Sequence, residues 1–222
     1  MLKHIPNALT SGNLLCGSAG IICSFTNPEI PTEWFVWAAC VFDFLDGFAA
    51  RILKVSSSIG KELDSLADMV SFGLLPGIVM KNLLTASGVG MWAWIGLSLT
   101  VFSALRLAKF NIDSRQSDSF IGVPTPAHGL FICGIPSLMT AFPANWFGAP
   151  TLIGITLLFS GLMVSEIPLF ALKFKNFTWA DNKIRFTFLL CAVLLIAFFQ
   201  SAGLPLAILL YIAFSLVFKS RN

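Results

Sequence analysis

The sequence predicts an all-α fold, a polytopic transmembrane helix bundle of about eight spans. Three observations carry that expectation. Mean hydropathy over the 222 residues is +0.84. Only 11% of residues are charged, whereas a soluble domain carries about 25%, because it must clothe itself in a solvated shell. Apolar runs near the roughly 20 residues that cross a bilayer also recur from end to end. The net charge of +3 is modest and gives no basic footprint for nucleic acid, so the expected surroundings are the lipid bilayer.

The spans follow from hydropathy and from proline, glycine and serine breakers. The opening Met1-Leu-Lys-His-Ile-Pro superficially resembles a signal peptide. Asn7, Thr10, Ser11 and Asn13 interrupt the apolar core that such a peptide needs, so 8–26 reads as a retained first helix. Asn27-Pro28 and Pro31 separate it from 33–54, and Ser56-Ser57-Ser58 separates that from 58–80. Ser87-Gly88 precedes 91–110, and Pro124-Thr125-Pro126 precedes 127–143. Pro143 and Pro150 bracket the turn into 149–172. The last two spans, 184–200 and 203–218, are short and meet at Gly203-Leu204-Pro205. A six-span core with a re-entrant end is therefore the alternative count. No linker or low-complexity tract divides residues 1–222, which read as one domain.

Charge tests the count. With the N-terminus in the cytoplasm and strict alternation, the cytoplasmic segments hold Lys3; Arg51, Lys54 and Lys61; Arg106, Lys109 and Arg115; Lys173, Lys175, Lys183 and Arg185; and Lys219 and Arg221. Only Lys81 of the 14 basic residues falls outside. The positive-inside rule asks for such a bias, and it places both termini in the cytoplasm. The five cysteines, Cys16, Cys23, Cys40, Cys133 and Cys191, sit in apolar stretches without a CxxC pair. They read as packing residues rather than a disulfide framework or zinc site.

Helix two ends in Asp43-Phe-Leu-Asp46-Gly47-Phe-Ala-Ala50-Arg51, and helix three begins Gly60-Lys-Glu-Leu-Asp64-Ser-Leu-Ala-Asp68. At 3.6 residues per turn, 43, 46, 47 and 50 form one stripe, and 60, 64, 68 and 71 another. A short serine turn makes the helices antiparallel neighbours, so four carboxylates converge at one membrane level. An ionised carboxylate deep in a span costs about 2.5–3.5 kcal/mol on the translocon-insertion scale, and no basic residue lies in either stripe. Divalent cations relieve both the burial and the repulsion, and oxygen ligands suit Mg²⁺ or Mn²⁺. Carboxylates shared by two ions form a clamp for phosphoryl transfer. Gly47 admits a bulky ligand to the helix backbone, and Arg51 meets phosphate oxygens at the rim. A cation-conducting site would use the same acids but leaves Gly47, Arg51 and Gly60 without a role.

The string Asp43-x2-Asp46-Gly47-x2-Ala50-Arg51-x8-Gly60-x3-Asp64-x3-Asp68, spanning 43–68, resembles the signature of the CDP-alcohol phosphotransferase family at every fixed position. The resemblance implies that Asp43, Asp46, Asp64 and Asp68 hold two divalent ions and that Asp68 is the general base on the acceptor hydroxyl. It implies that Gly47 and Arg51 contact the CDP-lipid within the Gly60-containing motif, and that Ser57, six residues past Arg51, touches the donor. It also places Asn7 and Thr10, in Pro6-Asn7-Ala8-Leu9-Thr10, near the nucleotide, although either could equally cap a helix. Homodimers are common in the resembled family.

Two further stretches, Arg106-Leu-Ala-Lys-Phe-Asn111 and Phe120-Ile-Gly-Val-Pro-Thr-Pro-Ala127, resemble the serine-accepting branch of that family, as does Asn7-Ala-Leu-Thr10-x2-Asn13-Leu-x2-Gly17. That branch moves the phosphatidyl group of CDP-diacylglycerol to L-serine, giving phosphatidylserine and CMP. A zwitterionic acceptor needs a cation for its carboxylate, and Arg106, Lys109 and Asn111 are the candidates. Arg106 and Lys109 read equally as positive-inside anchors, and Arg115 reads as an anchor. Thr125 reads as turn chemistry between prolines, His128 as a wet interfacial anchor, and Glu166 as an acid without an obvious partner. The alternative acceptors are glycerol 3-phosphate, inositol phosphate and choline. The expected setting is the cytoplasmic membrane, with the active site facing the cytoplasm.

Overall fold

The computed structural model describes residues 4–55, 57–112, 120–169 and 178–218. Lys3, Arg115, Lys173, Lys175, Lys219 and Arg221, counted above in the charge bias, lie outside the described residues.

Helix α1 (Ile5–Thr26) opens with Pro6 in its first turn, where a missing N–H costs nothing. Apart from that of Thr10, its hydroxyls turn back on the helix: Ser11 donates to Asn7 O, Ser18 to Leu14 O and Thr26 to Ile22 O. Helix α2 (Thr32–Leu53) follows and ends on Lys54 in the left-handed region, φ 51°. Helix α3 (Ser58–Asp68) is capped by Ser57, whose Oγ accepts from Gly60 N–H at 3.0 Å.

A π-helical segment, Met69–Leu74, joins α3 to α4 (Leu75–Ala86). Pro76 in the first turn of α4 explains it. Proline supplies no N–H and its ring crowds the carbonyl four residues back. The wider turn absorbs both, with Leu75 N–H bonding Val70 O five residues back. Such π segments occur often at functional sites, and this one begins directly after Asp68.

A 3-10 stretch (Gly90–Leu97) runs into α5 (Ser98–Ile112). Helix α6 (Thr125–Cys133) gives way at Gly134 to α7 (Ile135–Ala141), where Pro136 interrupts the bonding. Helix α8 (Ala149–Val164) ends earlier than the 149–172 span predicted, because Pro168 disfavours helix at the residues before it. Pro168–Leu169 (β2) instead pairs antiparallel with Phe120–Ile121 (β1). Gly122 turns the chain there at φ +74°; a Cβ at that position would sit 2.6 Å from Met163 O. Helices α9 (Trp179–Phe199), with a break at Asn182, and α10 (Gly203–Phe218) form the final hairpin.

Four stretches are long and apolar enough to cross a membrane by length and composition: Ile5–Thr26, Ser58–Ala86, Gly90–Ile112 and Asn182–Val217. The last contains both arms of the α9–α10 hairpin. Ala149–Val164 is apolar but shorter. Helix α2 is as long as α1, but Asp43, Asp46 and Arg51 interrupt its apolar character. The architecture is thus an all-α, multi-pass bundle.

Its polarity is inverted relative to a soluble globule. Leu15, Phe25, Phe44, Val101, Leu157 and Phe198 are exposed, while Thr10, Asn13, Asp46, Asp68, Ser71, Ser103, Arg106, Thr125 and His128 are buried. An apolar exterior suits lipid, and polar groups inside a bundle mark function. The apolar core has two parts. One gathers Leu99, Phe131, Ile132, Phe159 and Met163 with Tyr211 of the final hairpin; the other gathers Val36, Ala39, Phe72, Leu75 and Val79 around α2 and the π segment. The buried polar residues above lie on α1, α2, α3, the π segment, α5 and α6.

Candidate active site

Three helices build the site. Helix α2 presents Asp43 and Asp46 one turn apart, and α3 presents Asp64 and Asp68 one turn apart. Carboxylate oxygens of Asp43, Asp64 and Asp68 all lie within 4.8 Å of one another. At that spacing Asp43 and Asp64 repel each other when both are ionised, so the pair needs a shared proton or a cation between them. One oxygen of Asp64, Oδ1, is buried without a protein partner.

Asp46 stands apart from that trio. Its Oδ2 accepts from Thr10 Oγ at 2.7 Å, yet it remains an electrostatic neighbour of Asp43 and Asp64. Helix α1 holds the other side too: Asn13 Nδ2 donates to Asp68 Oδ1 at 3.1 Å, and Ser71 Oγ donates to Asn13 O at 2.9 Å. The close approach of α1 depends on Gly17, where a Cβ would fall 2.6 Å from Ser71 Cα. Small residues at helix contacts serve this purpose in membranes.

Oxygen-only donors, a buried unpaired oxygen and a spacing of a few ångströms fit a hard divalent cation. The site therefore suits a metal.

A cleft of about 510 Å³ opens beside the acids and is lined by His4, Pro6, Asn7, Thr10, Asp46, Gly47, Ala50, Val55, Ser57, Ser58, Ile59, Gly60, Lys61 and Asp64. Every residue expected near the CDP-lipid except Arg51 lies on this wall. A Cβ at Gly47 would meet nothing within 4 Å, so the backbone there is open to a ligand. Arg51 is exposed at the rim, with Nε donating to Gly47 O at 3.0 Å. Asp46 and Asp64 face the cleft, whereas Asp43 and Asp68 do not line it.

The three acceptor candidates separate. Arg106 is buried, donates from Nη1 to Thr125 Oγ at 2.9 Å, and interacts electrostatically with Asp68. Lys109 faces Glu166 at 3.4 Å, with both side chains partly exposed. Asn111 Nδ2 donates to Ser65 Oγ at 2.9 Å and its carbonyl accepts from Lys61 Nζ at 3.2 Å. These three contacts link α3, α5 and the segment after α8.

Three expectations change. Glu166 has a partner in Lys109. Thr125 opens α6 as a turn residue but is fully buried and accepts from Arg106. His128 is no wet anchor: it is fully buried, because α6 turns it inward toward α5 and α8. Asn13 as a partner of Asp68 was missed, although its place one turn beyond Thr10 on the same stripe was a usable signal.

Residues 3–218 match the CDP-alcohol phosphatidyltransferase family. The chain belongs to that family. Its members move a phosphatidyl group from a CDP-linked donor to an alcohol, which fits an acidic site suited to a metal beside an open cleft. Among similar proteins, a Bacillus subtilis (strain 168) relative is 34% identical over 179 residues, covering 79% of this chain and 92% of that protein. A Mycobacterium leprae relative is 33% identical over 178 residues, covering 76% of this chain and 58% of its own length. A Helicobacter pylori (strain J99) relative is 36% identical over 138 residues, covering 59% of this chain and 56% of its own length. The chain thus spans little more than half of the latter two. All three carry the name CDP-diacylglycerol–serine O-phosphatidyltransferase.

Proposed function

We propose that this protein transfers the phosphatidyl group of CDP-diacylglycerol to the hydroxyl of L-serine, giving phosphatidylserine and CMP. The observation that carries the reading is the trio of half-buried Asp43 and Asp64 with buried Asp68, beside the cleft that holds Gly47 and Gly60. The relatives' shared name supports serine as acceptor.

In this reading the donor's cytidine and pyrophosphate occupy the cleft between Asn7, Thr10, Ser57 and Gly60. The open backbone at Gly47 and the guanidinium of Arg51 face the phosphates, and the acyl chains stay in lipid. Asp68 takes the proton from the serine hydroxyl. The serine oxygen then bonds to the phosphorus bearing diacylglycerol, the bond to the CMP oxygen breaks, and CMP leaves in line with its electron pair. Asp43, Asp46, Asp64 and Asp68 would hold two divalent cations, Mg²⁺ or Mn²⁺, which supply charge compensation at the pyrophosphate and the departing phosphate. Asn13 fixes the orientation of Asp68, and Thr10 that of Asp46.

Arg106 is the best partner for the serine carboxylate, because it is buried beside Asp68. Lys109 and Asn111 act at the rim, where serine enters. A phosphorylated acceptor demands a denser cation site, and among the described residues Arg106 is the one buried Lys or Arg. The catalytic mouth faces the cytoplasm of the cell membrane, where the basic rim residues cluster.

Purified protein in detergent, supplied with CDP-diacylglycerol, tests this directly. CMP release is expected with L-serine and not with glycerol 3-phosphate, inositol phosphate or choline. Faster release with one of these would overturn the acceptor, and no release with any would overturn the activity.

A further inference from the structure

Among the described residues, five buried side-chain atoms lack a partner: Asn13 Oδ1, Asp64 Oδ1, Arg106 Nε and both ring nitrogens of His128. They are not scattered. Asp64 neighbours Asp68, Asp68 is bonded to Asn13 and faces Arg106, and Arg106 interacts electrostatically with His128. The unpaired acceptors, two oxygens, lie at the acidic end of this line. The unpaired nitrogens lie at the other end. Buried polar groups are normally satisfied, so a contiguous run of unsatisfied ones points to a missing ligand.

His128 belongs to the nitrogen end by construction of the helix. Thr125 and His128 stand three residues apart and share one face of α6. Arg106 reaches that face, because its Nη1 donates to Thr125 Oγ at 2.9 Å. Gly129 lets this face sit against the π segment, where its Cβ would lie 3.2 Å from Phe72 Cα. The imidazole packs on Phe159 with ring centroids 6.0 Å apart, so an apolar wall backs it. An imidazole carries at least one N–H, and here no protein group accepts it.

We infer that His128 is a specificity-determining residue whose ring N–H, together with Arg106 Nε, receives the carboxylate of the acceptor amino acid. Two donors converge on one anion, and the unpaired Asn13 Oδ1 faces the acceptor's ammonium, leaving Asp64 Oδ1 to the metal site. The acceptor is thereby held with its hydroxyl toward Asp68. Thr125 is a positioning residue that holds Arg106. The inference deepens the proposed function and rests on serine being the acceptor.

The test compares three acceptors with one donor in the full chain: L-serine, L-serinamide (carboxylate replaced by a neutral amide) and 3-hydroxypropanoate (ammonium removed). The wild type should prefer serine to serinamide. In His128→Phe, which keeps a stacking ring but removes the N–H, the ratio of kcat/KM for serine over serinamide should fall about tenfold or more. The serine over 3-hydroxypropanoate ratio and the KM for CDP-diacylglycerol should stay unchanged. Such ratios are independent of the fraction of protein that is active, so partial misfolding does not obscure them. His128→Leu provides the same reading if the phenylalanine variant does not assemble. A uniform fall for all three acceptors would show a merely structural histidine and overturn the inference. So would a collapse of the 3-hydroxypropanoate ratio instead. CMP release with none of these acceptors in the wild type would overturn the acceptor assignment itself, a result distinct from either.

Discussion

Asp43, Asp64 and Asp68 crowd together in a slab where charge is poorly screened, and a cation removes both the repulsion and the burial cost at once. Asp43→Asn, Asp64→Asn and Asp68→Asn should therefore each lower CMP release by about a hundredfold or more, on the scale of losing preorganised electrostatic stabilisation. The variants should remain folded, because each loses a charge from a crowded acidic centre. Chelation should silence the wild type, and added Mg²⁺ or Mn²⁺ should restore it; full activity in chelator would end the metal reading. The cationic residues divide by burial. Arg106→Gln should raise the KM for serine about tenfold to a hundredfold, the cost of a lost charge-assisted hydrogen bond, while leaving the donor KM unchanged. Lys109→Gln should change it far less, because its exposed pair with Glu166 is of a kind worth about 0–1 kcal/mol. Arg51→Ala should instead raise the KM for CDP-diacylglycerol. Titrating each substrate separately distinguishes these outcomes.

At the scale of elements, α1 braces the site. It meets Asp46 through Thr10 and Asp68 through Asn13, and Gly17 lets it approach the π segment. Gly17→Leu should separate the two, lowering detergent-solubilised stability by about 1–3 kcal/mol, the usual cost of overpacking. Activity should fall further than that loss explains, because Asn13 no longer orients Asp68. Thermal unfolding and CMP release on the same preparation would show it, and unchanged values in both would remove α1 from the site. The acidic stripes were legible in the sequence because helical period and a short serine turn together determine them. The α1 contacts were half legible: Thr10 and Asn13 share a stripe, but nothing local says what it faces. The π segment has a local cause in Pro76, yet proline equally permits a kink, and only packing around Phe72 and Leu75 decides. The inward turn of His128 was illegible, since an isolated histidine beside prolines carries no periodic signal.

For the whole molecule, contacts between distant segments sort the helix ends into two groups, which the expected alternation assigns to opposite sides of the membrane. Lys61 with Asn111, Lys109 with Glu166, and β1 with β2 bring together ends that alternation assigns to the cytoplasm. Glu33 with Ser137, Lys81 over Trp94, and Phe142 with both Trp146 and Phe199 gather the opposite ends. Among the described residues, each group joins the ends that the expected eight-span alternation would put on one side, and the count and orientation are the proposal that labelling tests. Single cysteines, introduced into a variant lacking the five native ones, test the assignment in intact cells. A membrane-impermeant thiol reagent should reach position 29 or 145, and also position 91, where Met91 is 84% exposed. It should reach position 54, position 112 (Ile112, 86% exposed) and position 179 only after the membrane is opened. Labelling at 54 or 112 from outside would invert the orientation and place the acidic site on the wrong face for a cytoplasmic CDP-lipid. Labelling at 179 alone from outside would instead keep the site and change the span count, because an odd number of crossings would then separate it from α5.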